Sequence, residues 1–173
     1  MDAAFGDIEL PLRGTDCDVL EGLAHRCLVL SGGTSGAVFG TLFSQLHQAV
    51  KDSAGGSDDG SSGRLTRARL AAGLESANDA IFELGGATYG DKTMVDALFP
   101  AMRAVAELDA EASVAEALEV ARVAAIDGVR ETRAQAAKKG RASYLGESTK
   151  DVPDPGAIVV CWLFGDTTDV SNF

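Results

Sequence analysis

Only 6% of the chain is aromatic, and histidine occurs just twice, at His25 and His47. Cysteine is nearly as scarce: Cys17, Cys27 and Cys161 form an odd set with no CxxC pair and no zinc-ligand spacing. That pattern excludes a zinc module and a disulfide framework, and it suits a reducing compartment. Both histidines fall in helical contexts, one reading as a surface and one as a packing residue, so neither is offered as a catalytic base. Long apolar runs are missing as well. The longest near an end, Ala157 to Phe164, is far short of the roughly 20 residues a membrane helix needs. With no charged-then-apolar leader at the start, the expectation is a soluble, cytoplasmic protein without membrane contact. Cations are also in short supply, 15 Lys and Arg against 26 Asp and Glu, for a net charge of −11. This argues against nucleic acid as partner, because neutralising a phosphate backbone takes Lys and Arg in a patch. A small ligand bridged by cations is compatible with it.

What is present is helical. Apolar residues recur at helical spacing, alanine is abundant, and 173 residues fit a single domain, here residues 1–173. A helix is predicted from Ser35 to Val50. Another runs from Arg64 to Leu84, with Leu65, Leu70, Leu74, Ala77 and Ile81 on its apolar stripe. A third follows Gly90 and carries Met94, Val95, Leu98, Met102, Val105 and Leu108, with Pro100 as an expected kink. The clearest start is Ser113-Val114-Ala115-Glu116, a capping box ahead of Leu118, Val123 and Val129, in a helix expected to end near Lys138. The Gly-, Ser- and Asp-rich stretch 53–63 reads as a flexible loop.

Four short polar or glycine-rich segments lie where helices meet. They are Ser31-Gly32-Gly33-Thr34-Ser35-Gly36, the run from Gly85 to Met94, the run from Lys138 to Glu147, and Pro153-Asp154-Pro155-Gly156-Ala157. Helix N-termini offer free amides and partial positive charge, and glycine lets a backbone approach phosphate closely, so the placement suits an anion site. Each segment also has a plain structural explanation. The first serves equally as a packing turn, Asp91 and Thr93 as capping residues, and Lys138-Lys139-Gly140 as a helix stop. Lys92 could reach a phosphate or be solvated. Met94 falls on the apolar stripe and could pack in the core. Asp154 suits capping of the apolar segment after it.

GGTSG, GDKTMVDALFP, KKGRASYLGE and DPGA, in this order, resemble the dihydroxyacetone kinase L family over about Ser31 to Ala157. The resemblance implies an all-α fold, an antiparallel barrel of eight helices in the family and fewer here, for want of a first helix and most of a second. It also implies a bound ADP or ATP with Mg2+. By transfer, Gly33, Thr34 and Ser35 would bind phosphate, and Gly85 and Met94 would border the nucleoside. Arg141 would meet the nucleotide near its phosphates, while Pro153, Asp154 and Pro155 would close the site. The magnesium ligands of the family match Asp2, Asp7 and Glu9. Hard carboxylate oxygens are what this ion prefers, and clustered acids would repel one another without it.

The third acid is Glu9 where the family has aspartate, and Leu10-Pro11 follow where it has His-Gly. Two functions are therefore weighed. In the first, the chain is the nucleotide-binding subunit of a dihydroxyacetone kinase, passing a phosphoryl group to dihydroxyacetone held on a partner subunit. Its expected partners are that subunit and a phosphotransferase-type donor that rephosphorylates bound ADP; a homodimer stays open. In the second, it is a non-catalytic relative that binds nucleotide or a partner for regulation or assembly.

Overall fold

The structure, a computed structural model, describes residues 14–52 and 63–166. The expected metal ligands Asp2, Asp7 and Glu9 lie outside the described residues, as do positions 53–62 of the loop. Among the described residues there are six α-helices, one 3-10 segment and no strand. The helices are α1 (Asp16–Leu30), α2 (Gly33–Asp52), α3 (Arg67–Gly85), α4 (Val95–Glu107), α5 (Val114–Thr132) and α6 (Pro155–Leu163), with the 3-10 segment Arg141–Thr149 between the last two.

Consecutive helices pack antiparallel, and glycines mark where their backbones nearly touch. A Cβ on Gly36 at the start of α2 would lie 2.8 Å from the Cys27 carbonyl oxygen near the end of α1. A Cβ on Gly73 of α3 would meet Leu46 and Ala49 in the second half of α2. The Arg67 guanidinium at the start of α3 donates to the carbonyls of Val105 (3.2 Å) and Leu108 at the end of α4. Gly128, late in α5, abuts Asp96 and Ala97 early in α4. The Arg122–Asp166 ion pair (3.6 Å) and the Asp154 amide on Thr132 Oγ1 (2.9 Å) set α6 against α5 in the same alternating sense. The core between them is aliphatic, with Leu42, Val50, Leu98, Val105 and Val129 buried almost completely. Burying each such side chain contributes roughly 1.5–3 kcal/mol.

Three expectations change. The stretch before Ser31 was expected to lack most of a helix, yet α1 occupies it with 15 residues. Its start is a capping box: the Asp18 amide donates to Thr15 Oγ1 and the Thr15 amide to Asp18 Oδ2 (3.3 and 2.8 Å). Second, α5 ends at Thr132 rather than near Lys138. The Thr132 hydroxyl donates back to the Val129 carbonyl (2.6 Å) and its own carbonyl accepts from Lys92, so the helix gives way to a turn. Third, Leu118 and Val123 point outward, and α5 instead buries Ala117, Ala121, Ala125 and Gly128 alongside Val129. Small residues win that face because α4 lies against it at backbone distance.

Pro100 sits inside α4 without ending it. It has no amide to give the Asp96 carbonyl four residues back. Gly128 packs against that same carbonyl.

Candidate functional site

Alternation places the start of α2, the end of α3, the start of α4, the end of α5 and the start of α6 at one end of the bundle. All four motif segments emerge there. Two of the three helix starts are already occupied. The fully buried Asp96 carboxylate accepts the amides of Gly90 (2.6 Å) and Thr93 (2.7 Å) in the turn just ahead of α4, and Thr93 Oγ1 accepts the Val95 amide (3.3 Å) at the helix start. Asp154 caps α6 by accepting the Ala157 amide at 2.9 Å, with Pro155 as the first helical residue. The start of α2 differs: Gly32, Gly33 and Thr34 are exposed, Ser35 is half-buried, and the Ser35 hydroxyl turns back onto the Gly32 carbonyl (3.4 Å).

Glycine has two distinct uses here. A Cβ on Gly36 would lie 1.8 Å from the Ser31 carbonyl oxygen, so that glycine is a packing contact between α1 and α2. At Gly32, Gly33, Gly85, Gly86, Gly140 and Gly146 a Cβ would meet nothing within 4 Å. These six face open space at the motif end, and positive φ at Gly33, Gly86, Gly140 and Gly146 explains four of them as turn formers.

The turn from Gly86 to Met94 is built on acids. Asp91 Oδ2 accepts the Thr88 amide (2.9 Å) and hydroxyl (3.2 Å), closing the turn rather than capping a helix. The Asp91 carbonyl takes the Lys138 amide at 3.0 Å, and the Lys138 ammonium lies 3.9 Å from its carboxylate. Tyr89 donates to the Glu131 carboxylate, which pushes the Tyr89 phenol up to about 12. Lys92 neither reaches outward nor is solvated, contrary to both expectations. It is 3% exposed, and its ammonium donates to the carbonyls of Thr132 and Val152 (2.6 Å to the latter). Burial lowers its pKa, against the opposing pull of Asp154 and Asp96.

Asp154 is buried beside this cluster, and burial raises its carboxyl above the ordinary aspartate value despite the Ala157 amide. Its geometry is that of a helix cap. Met94 is half-buried, packed against the core on one side and against Gly156 on the other, where a Cβ would come 3.3 Å from Met94 Cβ. Arg141 and Pro155 are exposed and Pro153 is half-buried. The Ala137 amide on Thr149 Oγ1 (2.9 Å) and the Asp151 amide on the Arg133 carbonyl (2.8 Å) fold the α5–α6 connection onto itself, holding the 3-10 segment that carries Arg141.

The structure thus brings together the turn containing Lys92, the end of α5 and the Pro153-Asp154-Pro155 segment by direct bonds. Gly33, Thr34, Ser35 and Gly85 reach the same end by topology alone. Sequence reasoning missed Asp96 and Thr132. Thr93-x-x-Asp96 has the form of a capping box, a signal that was available; nothing in the pattern singled out Thr132.

The connection after α5 is locally basic, beside the acids Asp91, Asp96, Asp151 and Asp154 at the same end. Between Arg130 and Lys150 stand six cations (Arg130, Arg133, Lys138, Lys139, Arg141, Lys150) and two acids (Glu131, Glu147), a net of +4 in a chain of −11. Among the described residues no group of three His, Cys, Asp or Glu could hold a metal, and no helix is long and apolar enough to cross a membrane. A cleft of about 350 Å3 between α2 and α3, lined by Gln45, Gln48, Asp52, Arg69 and Ser76, lies toward the other end, away from the motifs.

Comparison with known proteins identifies relatives and a shared fold. The L-erythrulose 1-kinase of Mycolicibacterium smegmatis is 42% identical over 136 residues, covering 77% of this chain and 22% of that protein. The ADP-binding subunit DhaL of the PEP-dependent dihydroxyacetone kinase of Escherichia coli is 33% identical over 146 residues, 84% of this chain and 65% of the subunit. Among solved structures, the dihydroxyacetone kinase from C. freundii in complex with AMP-PNP and Mg2+ shares the fold, with a TM-score of 0.55 at 24% identity over 87% of this chain and 22% of that one. The DAK2 domain model matches residues 6–169, nearly the whole length, and the chain belongs to the DAK2 domain family.

Proposed function

We propose that this chain is the nucleotide-binding, phosphoryl-transferring part of a kinase for dihydroxyacetone or a similar short hydroxyketone, holding ADP or ATP with Mg2+ at the motif end. The observation that carries the reading is a locally basic α5–α6 connection, +4 between Arg130 and Lys150 in a chain of −11, at the same end as glycines that front open space. A basic segment at the same end of the bundle as an exposed helix start suits a multiply charged anion. The amides at the start of α2 with the hydroxyls of Thr34 and Ser35 would hold phosphate, and Arg141 would add a charged donor. Gly85 leaves room for the nucleoside, and Met94, fixed between the core and Gly156, offers a polarizable edge to a flat ring. Pro153 and Pro155 stiffen the segment that Asp154 anchors.

Bound magnesium would neutralise phosphate charge during transfer. Its proposed ligands are Asp2, Asp7 and Glu9, and this assignment rests on the family pattern. The hydroxyketone would sit on a partner subunit or domain. Relatives named as ketose kinases and as an ADP-binding subunit support this division of labour. A phosphotransferase-type donor, which would rephosphorylate bound ADP, is the version closest to the DhaL likeness.

Calorimetric titration of Mg–ADP tests the reading. Wild type should bind, Arg141→Ala should bind more weakly with an unchanged melting temperature, and Asp7→Ala should lose the magnesium dependence. Absence of binding to wild type would overturn it. Glu9 and Leu10, in place of the family's aspartate and histidine, favour a second reading as a non-catalytic binder. Tight Mg–ADP binding without phosphoryl transfer, in the presence of a hydroxyketone-binding partner, would select that one.

A further inference from the structure

We propose that Lys92 is a positioning residue of this site, a buried ammonium that fastens the Gly86–Met94 turn, the end of α5 and the chain before Pro153 into one piece on which the exposed binding residues are mounted. The inference deepens the nucleotide-site reading and rests on it. Three observations meet at this side chain. Its backbone is left-handed, with φ of 59°, a conformation that is unfavourable for a lysine. The side chain is nonetheless turned inward and 3% exposed. Its ammonium donates to the carbonyls of Thr132 and Val152, which are 40 and 60 residues away in the chain.

Strain and a buried charge both lower stability, and they persist only where the surroundings hold them in place. A hydrophobic residue could fill the volume, but it could not bond two carbonyls from two segments. Each bonded segment leads into a proposed ligand-bearing stretch: Thr132 opens the connection that carries Arg141, and Val152 directly precedes Pro153. The turn that holds Lys92 runs from Gly86 to Met94. Burial works against the ammonium's charge, and Arg133 adds to that, while Asp154, Asp96 and Asp151 offset part of it. Lys92 need not touch the ligand. It sets the distance between the segments that do.

The test compares wild type, Lys92→Gln and Lys92→Arg by amide hydrogen exchange without nucleotide and by Mg–ADP calorimetry. In Lys92→Gln the helical circular dichroism should persist. Exchange across residues 133–153 should accelerate roughly tenfold while α2 and α3 keep their protection. Affinity for Mg–ADP should fall roughly tenfold, as small misplacements of binding groups do. Lys92→Arg, which keeps charge and donors, should recover most of both. The proposal is overturned if exchange in 133–153 is unchanged, if it rises equally in all helices, if both variants fail to fold, or if exchange rises there while affinity stays within twofold of wild type. Should wild type bind no Mg–ADP, the nucleotide reading fails with it, while the exchange comparison still decides whether Lys92 fastens these segments.

Discussion

Gly128 of α5 approaches Asp96 of α4 so closely that a Cβ on Gly128 would lie 2.2 Å from the Asp96 carbonyl oxygen and 2.9 Å from the Ala97 Cα. Both obstacles are backbone, so the helices themselves would have to separate. Alanine is about 1 kcal/mol better than glycine in a helix interior, but overpacking of this kind outweighs that gain. Gly128→Ala is expected to destabilise the fold by at least about 2 kcal/mol in chemical denaturation. It should also loosen the Gly86–Met94 turn, because Asp96 holds the amides of Gly90 and Thr93. A midpoint equal to that of wild type would show that α4 and α5 are not this close.

Thr132 is fully buried, and its hydroxyl both donates to the Val129 carbonyl and accepts the Asp154 amide. Valine has nearly the same shape without the hydroxyl. Thr132→Val should therefore leave packing intact and strand a buried amide, lowering stability by about 1–3 kcal/mol. Thr132→Ser keeps the hydroxyl and loses one methyl, for about 1 kcal/mol. The order of the two variants in urea unfolding is the readout, and a serine variant less stable than the valine one would contradict the bonding described.

The pH dependence follows from Asp154. Burial raises its folded-state pKa above the ordinary 3.8, with the Ala157 amide opposing. The folded state then holds this proton more tightly than the unfolded chain does. The stability so gained is fully present below the unfolded pKa and is lost as pH rises through the folded one. Asp154→Asn keeps a capping oxygen for Ala157 and removes the titration, so the downward slope just above the ordinary aspartate range should flatten. Carboxyl carbon NMR of wild type gives the direct check. A midpoint at or below that of a free aspartate would refute the buried environment.

Much of the fold was legible because α2, α3 and α4 carry large aliphatic residues on one face, and because Ser113 and Glu116 form the capping box their spacing predicts. α5 was legible in position but not in orientation. Its buried face is alanine and glycine, and small residues declare themselves only once a neighbour is known to lie at backbone distance. α1 was missed because its C-terminal leucines and valine, Leu28 to Leu30, are exposed, and Leu20 and Ala24 are its only buried positions. At the site, composition located the segments, but it left Lys92 undecided between phosphate and solvent when its partners are two distant carbonyls. A carbonyl belongs to every residue type, so a side chain that bonds the main chain leaves no trace in the sequence of its partner.

The glycines of Gly32-Gly33-Thr34-Ser35-Gly36 separate packing from binding. A Cβ on Gly36 would lie 1.8 Å from the Ser31 carbonyl oxygen, whereas one on Gly32 would meet nothing within 4 Å, and Gly32 has no positive φ to protect. Gly36→Ala must push α1 from α2 and is expected to lower the melting temperature by several degrees, roughly 4–8 °C per kcal/mol for a smaller domain and less at this length. Gly32→Ala should melt with wild type, because the added methyl projects into open space. If phosphate occupies that space, Gly32→Ala should weaken Mg–ADP binding in calorimetry without any thermal shift. A variant that binds as wild type does would move the phosphate away from the start of α2, and one that melts early would mean that Gly32, like Gly36, is a packing residue.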